Sequence, residues 1–210
     1  YPNSADGYMR RATHRITTSQ DENAMAQIAA DMDKALDVST QKDNTRFDRA
    51  KLIYSYMLSN PQTPYSDWSM DKALEEIREA IRLNPLPVYT QLEGDILFAK
   101  QDYPAAYVAY EKVNQSDLAS PASFFSAAQT KEMMKAPTTE ILALMDSCVS
   151  RCPQPYTEMA APYLLARAQA LLTANQARKA MLDYDAYFNA VNGNVNAAFY
   201  YYREQAAIQG

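Results

Sequence analysis

Apolar residues recur at helical spacing along nearly the whole chain, whereas the strict alternation typical of strands is almost absent. The clearest segment covers residues 69–83, where one continuous apolar stripe consists of Met70, Ala73, Leu74, Ile77, Ala80 and Ile81. Ser69 is a suitable N-cap for this helix, and Asn84-Pro85 is a suitable stop. The pattern predicts an all-α fold.

Other helix boundaries follow from the same kinds of residue. Ser120-Pro121 combines an N-cap with a proline at the first helical position, and Thr138 and Asn175 are further N-cap candidates. Cys152-Pro153 is predicted to close a helix in the same way as Asn84-Pro85. Short polar connectors between these helices favour antiparallel hairpins.

Small or aliphatic residues mark a repeat. Ala73, Ala106, Ile141 and Ala180 stand at equivalent places in successive helical patterns, and their separations are 33, 35 and 39 residues. A period of about 34 residues is typical of paired-helix repeats.

Two segments carry a resemblance to a known family. Residues 94–112 resemble the tetratricopeptide repeat (TPR), with Gly94, Tyr103, Ala106 and Tyr110 at its glycine, tyrosine, alanine and aromatic positions. Residues 71–85 are similar to the second helix of the same repeat, including its closing Asn-Pro.

The resemblance implies a right-handed superhelical solenoid in which hairpins stack and bury each other's apolar faces. Small residues such as Gly94 and Ala168 would let neighbouring helices approach closely. We expect one array of hairpins over residues 1–210, with a half hairpin at its end. The expected hairpins cover residues 5–38, 44–83, 87–115, 121–151 and 157–190, and the half hairpin covers residues 196–210.

The two ends of the chain suggest a piece of a longer bacterial protein. It begins at Tyr1 without an initiator methionine, a basic segment or an apolar segment, so either a leader has been removed or the chain is an internal fragment. The other end favours a fragment, because residues 199–202 place four aromatics at consecutive helical positions. One helix face cannot bury all four. We therefore expect a helix that pairs with residues 196–209 to lie beyond the sequence.

Two departures from the family pattern stand out. The second hairpin contains an insertion, residues 59–68, which holds the single tryptophan, Trp68. The fourth hairpin has Gln129 where the pattern expects a small residue.

A recurring charge pair predicts two ion pairs. Arg167 precedes Ala168 and Arg11 precedes Ala12 on first helices, and each is followed on the second helix by an acid, Asp183 or Asp31. Some TPR variants resemble this arrangement. We predict the ion pairs Arg167–Asp183 and Arg11–Asp31, with a structural role, because a satisfied pair leaves little capacity for a ligand.

Composition removes several classes of function. The four glycines are too scattered for a phosphate-binding loop, and a formal net charge of −5 argues against nucleic-acid binding. The longest uncharged stretch, residues 186–202, carries four asparagines and a glycine, which argues against a membrane span.

Candidate chemistry is sparse. His14 is the only histidine and is expected to be solvated or to cap a helix. Cys148 and Cys152 are expected to be packing residues, and a disulfide between them would require the last helical turn to distort. Carboxylates such as Glu76 and Glu79 are expected on solvated faces. The sequence predicts a non-enzyme with no catalytic residue, metal or cofactor.

The resemblance implies that the first helices line a concave groove. Residues expected on that surface are Lys51, Tyr54, Gln91, Asp95, Phe98, Thr130, Met133, Gln169, Tyr201 and Gln205. Lys51 is the only cation among them, which argues against the carboxylate clamp of chaperone-binding members of the family.

These features predict a protein-interaction scaffold that binds a peptide or a helix of another protein in the groove. The alternative is a glycan-binding helical lipoprotein of the bacterial cell envelope, in which Tyr65 and Trp68 form an aromatic platform. A helical enzyme domain that uses paired carboxylates is a third option. The periplasm or cell envelope of a bacterium is the favoured location.

Overall fold

The computed structural model describes residues 3–18, 22–61, 65 and 68–209. These residues form helices and turns without a strand, so the all-α prediction is confirmed. Part of the predicted insertion, residues 62–64, 66 and 67, lies outside the described residues. The helices of the described residues are α1 (Ala5–Thr18), α2 (Glu22–Val38), α3 (Lys42–Ser59), α4 (Met70–Leu83), α5 (Pro87–Ala99), α6 (Tyr103–Asn114), α7 (Pro121–Met133), α8 (Thr138–Ser150), α9 (Ala161–Thr173), α10 (Ala177–Ala190) and α11 (Ala197–Gln209).

Contacts divide the chain into two compact units, Tyr1–Asp102 and Tyr103–Gly210. In unit 1, α1 packs against α2, α3 against α4, and α4 against α5. In unit 2, each of the helices from α6 to α11 packs against the next. We use "first helices" for the odd-numbered helices and "second helices" for the even-numbered ones, following the repeat pattern.

Two of the predicted N-caps are formed and two are wrong. The Ser69 hydroxyl accepts from the Lys72 amide at 3.0 Å, and Ser120 forms a capping box with Ser123. In contrast, Thr138 is the first residue of α8, whose N-cap is Pro137. Asn175 is not the N-cap of α10 either, because Gln176 occupies that place.

Asn175 instead closes a turn. Its φ is 56°, and Gln101, Lys135 and Asn192 also have positive φ. After each of them the next amide donates to a carbonyl five residues earlier, as in the Schellman motif that ends many helices. These bonds are Asp102–Leu97 at 3.0 Å, Ala136–Lys131 at 3.0 Å, Gln176–Leu171 at 2.8 Å and Gly193–Phe188 at 2.9 Å. The turns therefore form with few glycines.

A small residue recurs at the eighth position of four first helices. Ala12, Ala128 and Ala168 are fully buried there, and Gly94 is buried at the same position of α5. The expectation that Gln129 takes this place in α7 was wrong by one residue, since Gln129 is exposed and Ala128 is the buried residue. The small side chains allow close helix packing.

Arginines next to these small residues form the predicted type of ion pair. Arg167 binds both carboxylate oxygens of Asp183, at 2.7 and 2.6 Å, and Arg11 binds both oxygens of Asp31, at 3.1 and 2.8 Å. Arg15 also binds Asp31. The hydrogen bond from Arg11 holds the pKa of the Asp31 carboxyl below its usual value.

A related pair was missed in the sequence. Arg49, directly before the buried Ala50, binds Glu76 at 3.1 Å, and Arg46 binds the same carboxylate at 2.6 Å. Glu76 is only 2% exposed, so the expectation that it lies on a solvated face was wrong. The burial is possible because two guanidinium groups neutralise and hydrogen-bond the carboxylate.

Arg49 and Arg167 each connect three helices. The Arg49 guanidinium binds Asp33 of α2 at 3.0 Å as well as Glu76 of α4. The Arg167 guanidinium binds Asp146 of α8 at 3.1 Å as well as Asp183 of α10. We call these two arrangements the arginine bridges.

Replacing Arg49 by methionine is expected to lower the free energy of unfolding by about 3 kcal/mol, because it leaves Glu76 buried with one cation fewer. Denaturant unfolding of Arg49→Met measures the loss. The matched control is Arg78→Met, which removes a half-exposed pair with Glu93 and is expected to cost less than about 1 kcal/mol. Equal losses in the two variants would contradict a structural role for the bridge.

Enlarging Ala128 to leucine is expected to lower stability by about 1–3 kcal/mol, because the eighth position of α7 has no room for added methylenes. Gln129→Leu, one residue further along the same helix, is expected to stay within about 0.5 kcal/mol of the wild type. Thermal unfolding of both variants makes the comparison. A larger loss of stability in Gln129→Leu than in Ala128→Leu would show that Gln129 is the packing position.

Candidate functional site

Five residues of the expected groove surface belong to the first helices of unit 1. On α3 and α5 the side chains of Tyr54, Gln91 and Asp95 are partly buried, and the Gln91 amide nitrogen donates to Asp95 at 3.1 Å. Burial raises the pKa of the Tyr54 hydroxyl, and the nearby Asp95 carboxylate raises it further. Phe98 is also half-buried on α5. A phenol, an amide, a carboxylate and a ring are thus available on two helices.

The Gln91 carbonyl oxygen is unusual. It is buried, and it accepts no hydrogen bond from the residues that the structure describes. A buried acceptor without a donor costs about 1–3 kcal/mol, and such atoms are rare in native proteins. This atom marks a place where a donor from outside the chain would be stabilising.

Lys51 lies on α3, three residues before Tyr54. It lines a cleft of about 580 Å³ between α1 and α3, together with His14, which is exposed as the sequence predicts. Asp48 on the same cleft is half-buried, and burial raises the pKa of its carboxyl while Lys51 opposes the rise. The cleft combines charged rims with the apolar side chains of Met9 and Leu52.

The remaining expected residues belong to unit 2 and differ in exposure. Met133 is 50% exposed, Tyr201 is 59% exposed and Gln169 is exposed, so these side chains are accessible. Gln205 is half-buried. Thr130 is fully buried, and its hydroxyl donates to the Ser126 carbonyl at 2.7 Å. Thr130 therefore does not belong to an accessible surface.

An aromatic pair on the first helices of unit 2 was not among the expected residues. The rings of Phe125 on α7 and Tyr163 on α9 lie 5.1 Å apart, and both side chains are half-buried. The sequence does not predict this contact, because the two residues are far apart in the chain and only the packing of α7, α8 and α9 brings them together.

The aromatic residues of the insertion do not form an open platform. Trp68 is 6% exposed and its ring packs edge-on against Tyr56 of α3 at 5.3 Å. Tyr65 also meets Trp68 edge-on, at 6.1 Å. The tryptophan is therefore part of the packing of the second hairpin.

Both cysteines are free and buried. Cys152 donates a weak hydrogen bond to the Cys148 carbonyl at 3.6 Å. Burial raises the pKa of the Cys148 thiol to about 12 and also raises that of Cys152. Thiols in such surroundings are poor nucleophiles and packing residues.

Two classes of site are not found in the described part of the chain. No group of three or more histidine, cysteine or acidic side chains there is placed to hold a metal ion. The helices described are also too short or too polar to cross a lipid bilayer.

Comparison with solved structures identifies the fold. The structure of PilF from Pseudomonas aeruginosa has a TM-score of 0.67 and 16% identity, covering 98% of this chain and 88% of its own. PilW, a type IV pilus biogenesis factor, has a TM-score of 0.67 and 15% identity, covering 98% of this chain and 85% of its own. YrrB, a TPR protein with an unusual peptide-binding site, has a TM-score of 0.61 and 12% identity over 96% of this chain and 92% of its own.

No family model and no curated protein matches the sequence. The structural likeness nevertheless extends over nearly the whole chain. The protein thus has a TPR-type helical-repeat fold, as the resemblance implied.

The burial of the thiols leads to a labelling prediction. At pH 8 a thiol-specific chromogenic reagent is expected to modify neither Cys148 nor Cys152 in the folded protein, because burial keeps both protonated and out of contact with the reagent. In guanidinium chloride both thiols are expected to react at once. Rapid labelling of the folded protein would show that the helix end around Cys152 opens easily.

Proposed function

We propose that this protein is a non-enzymatic scaffold whose first helices bind a peptide or helical segment of another protein. The proposal contains no chemical step. Affinity comes from several weak contacts made along one surface, as in other recognition by repeat arrays.

Three residues of unit 1 carry the proposal, and we call them the Gln91 group: Tyr54, Gln91 and Asp95. A peptide backbone offers an N–H donor and a C=O acceptor at almost every residue. Within this group the Gln91 carbonyl and the Asp95 carboxylate can accept from such donors, while the Tyr54 hydroxyl can donate. Because the Gln91 oxygen is buried, a donor reaches it only if the side chain rotates, and that contact would remove the cost of the unsatisfied oxygen.

The fold supports the same assignment. YrrB shares the fold and is described as having a peptide-binding site, and PilW is a pilus biogenesis factor. At identities of 12% and 15% these proteins provide an analogy of architecture, so the partner of this chain has to be found by experiment.

Glycan binding remains the alternative function. It was motivated by an aromatic platform at Tyr65 and Trp68, and the burial of Trp68 against Tyr56 removes that motivation. A glycan array together with a peptide selection separates the two functions. Saturable binding of a glycan, with no peptide recovered from the selection, would favour the alternative.

Replacing Gln91 by leucine is expected to weaken peptide binding about tenfold or more without lowering stability. The substitution removes the unsatisfied acceptor together with its hydrogen bond to Asp95, and the two effects on the free energy of unfolding oppose each other. Peptides selected from a display library on the wild type provide the probe, and calorimetric titration measures their affinity.

The matched control is Gln27→Leu, an exposed glutamine on the second helix α2. It is expected to bind the selected peptides like the wild type. If Gln91→Leu also binds them normally, the first helices of unit 1 are not the binding surface.

A further inference from the structure

A second concave feature lies among the second helices of unit 2. A groove of about 500 Å³ runs between α8 and α10, which both pack against α9. Leu142 and Leu171, both largely buried, provide apolar surface at its base. Thr139, Ala143 and Asp146 of α8 form one rim, and Gln176, Lys179 and Leu182 of α10 form the other.

The groove is separate from the surface proposed for the first helices. Arg167 and Leu171 of α9 line it, whereas Gln169 of α9 belongs to the first-helix surface. Successive residues of a helix point about 100° apart, so two positions separate side chains by about 200°. The two surfaces therefore lie on opposite sides of α9.

One end of the groove is negative. The Arg167 bridge joins α8 to α10 there by binding Asp146 and Asp183, so two carboxylates surround a single guanidinium. The Asp146 side chain is 67% exposed, so a cationic group of another molecule can reach its carboxylate.

The other end is positive. Lys179 is exposed there and forms no ion pair within the described part of the chain. The N-termini of α8 and α10 lie at the same end, beside Thr139 and Gln176, and add the positive ends of two helix dipoles. Lys179 precedes Asp183 by four residues, which corresponds to about 6 Å along the helix axis.

The middle of the groove is apolar and accessible. Leu182 is 69% exposed on the α10 rim. Ala143 is exposed on the α8 rim, where its small side chain leaves space for a neighbouring chain. A partner side chain that packs against Leu182 would remove this exposed apolar surface from water.

We propose that this groove is a second docking site, which binds a peptide segment of a partner protein with a basic residue and an acidic residue on either side of a leucine-sized side chain. The basic residue pairs with Asp146, the acidic residue pairs with Lys179, and the apolar side chain contacts Leu142, Leu171 and Leu182. This charge pattern complements that of the groove.

A subtractive selection tests the site. A library of short random peptides displayed on phage is selected on the wild type and on Ala143→Arg, in which a long side chain fills the groove. We expect a class of peptides that carries the basic, apolar and acidic pattern and is enriched on the wild type alone. A selection without any peptide sensitive to Ala143→Arg overturns the proposal.

The second part of the test measures the affinity of one synthesised peptide of this class for the wild type and for several variants. We expect Ala143→Arg and Lys179→Glu to weaken its binding about tenfold or more, and a peptide with its acidic residue changed to lysine to regain binding to Lys179→Glu. The matched control is Ala122→Arg, at an exposed alanine of α7, and Gln169→Lys controls for the first-helix surface. Normal binding by Lys179→Glu, or lost binding by either control, overturns the assignment to this groove.

Discussion

A guanidinium group that is largely removed from water needs carboxylates at close range, because the desolvation of an ion costs several kcal/mol. Arg49 and Arg167 meet this requirement, and each directly precedes a small, fully buried residue, Ala50 or Ala168. Each binds one acid from the helix before it and one from the helix after it. The ion pairs therefore link three successive helices in each unit.

The proposed binding surfaces follow from this arrangement. Because the Arg167 bridge holds α8 and α10 against α9, a groove remains between the two second helices, with a defined charge at each end. The opposite side of α9 takes no part in the Arg167 bridge, and side chains there, such as Gln169, reach solvent. In unit 1 the Gln91 group lies on α3 and α5, and Gln91 is hydrogen-bonded to Asp95 rather than to a residue of the Arg49 bridge. In unit 2 the Arg167 bridge therefore has two parts to play, since it links three helices and also forms one end of the proposed groove.

The sequence predicts what depends on short distances along the chain. The caps at Ser69 and Ser120 involve partners three residues away, and the pair Arg167–Asp183 follows from the register of one hairpin. Glu76 could not be recognised, because its neighbours are charged and its partners Arg46 and Arg49 lie on the far side of an insertion.

A one-residue error in register explains two further misses. The expected alignment placed Gln129 opposite Ala168, whereas the buried Ala128, one residue earlier, occupies that position. A shift by one residue rotates a helix by about 100°. That rotation is enough to move Thr130 from the accessible surface to the interior and Gln129 to the exterior.

The Schellman turns have a consequence for the evolution of the protein. Gln101 and Lys135 adopt a left-handed conformation that costs a side-chain-bearing residue about 1–2 kcal/mol and a glycine far less. Selection can therefore tune the heat tolerance of this protein at its turns, without altering any residue of the two proposed binding surfaces.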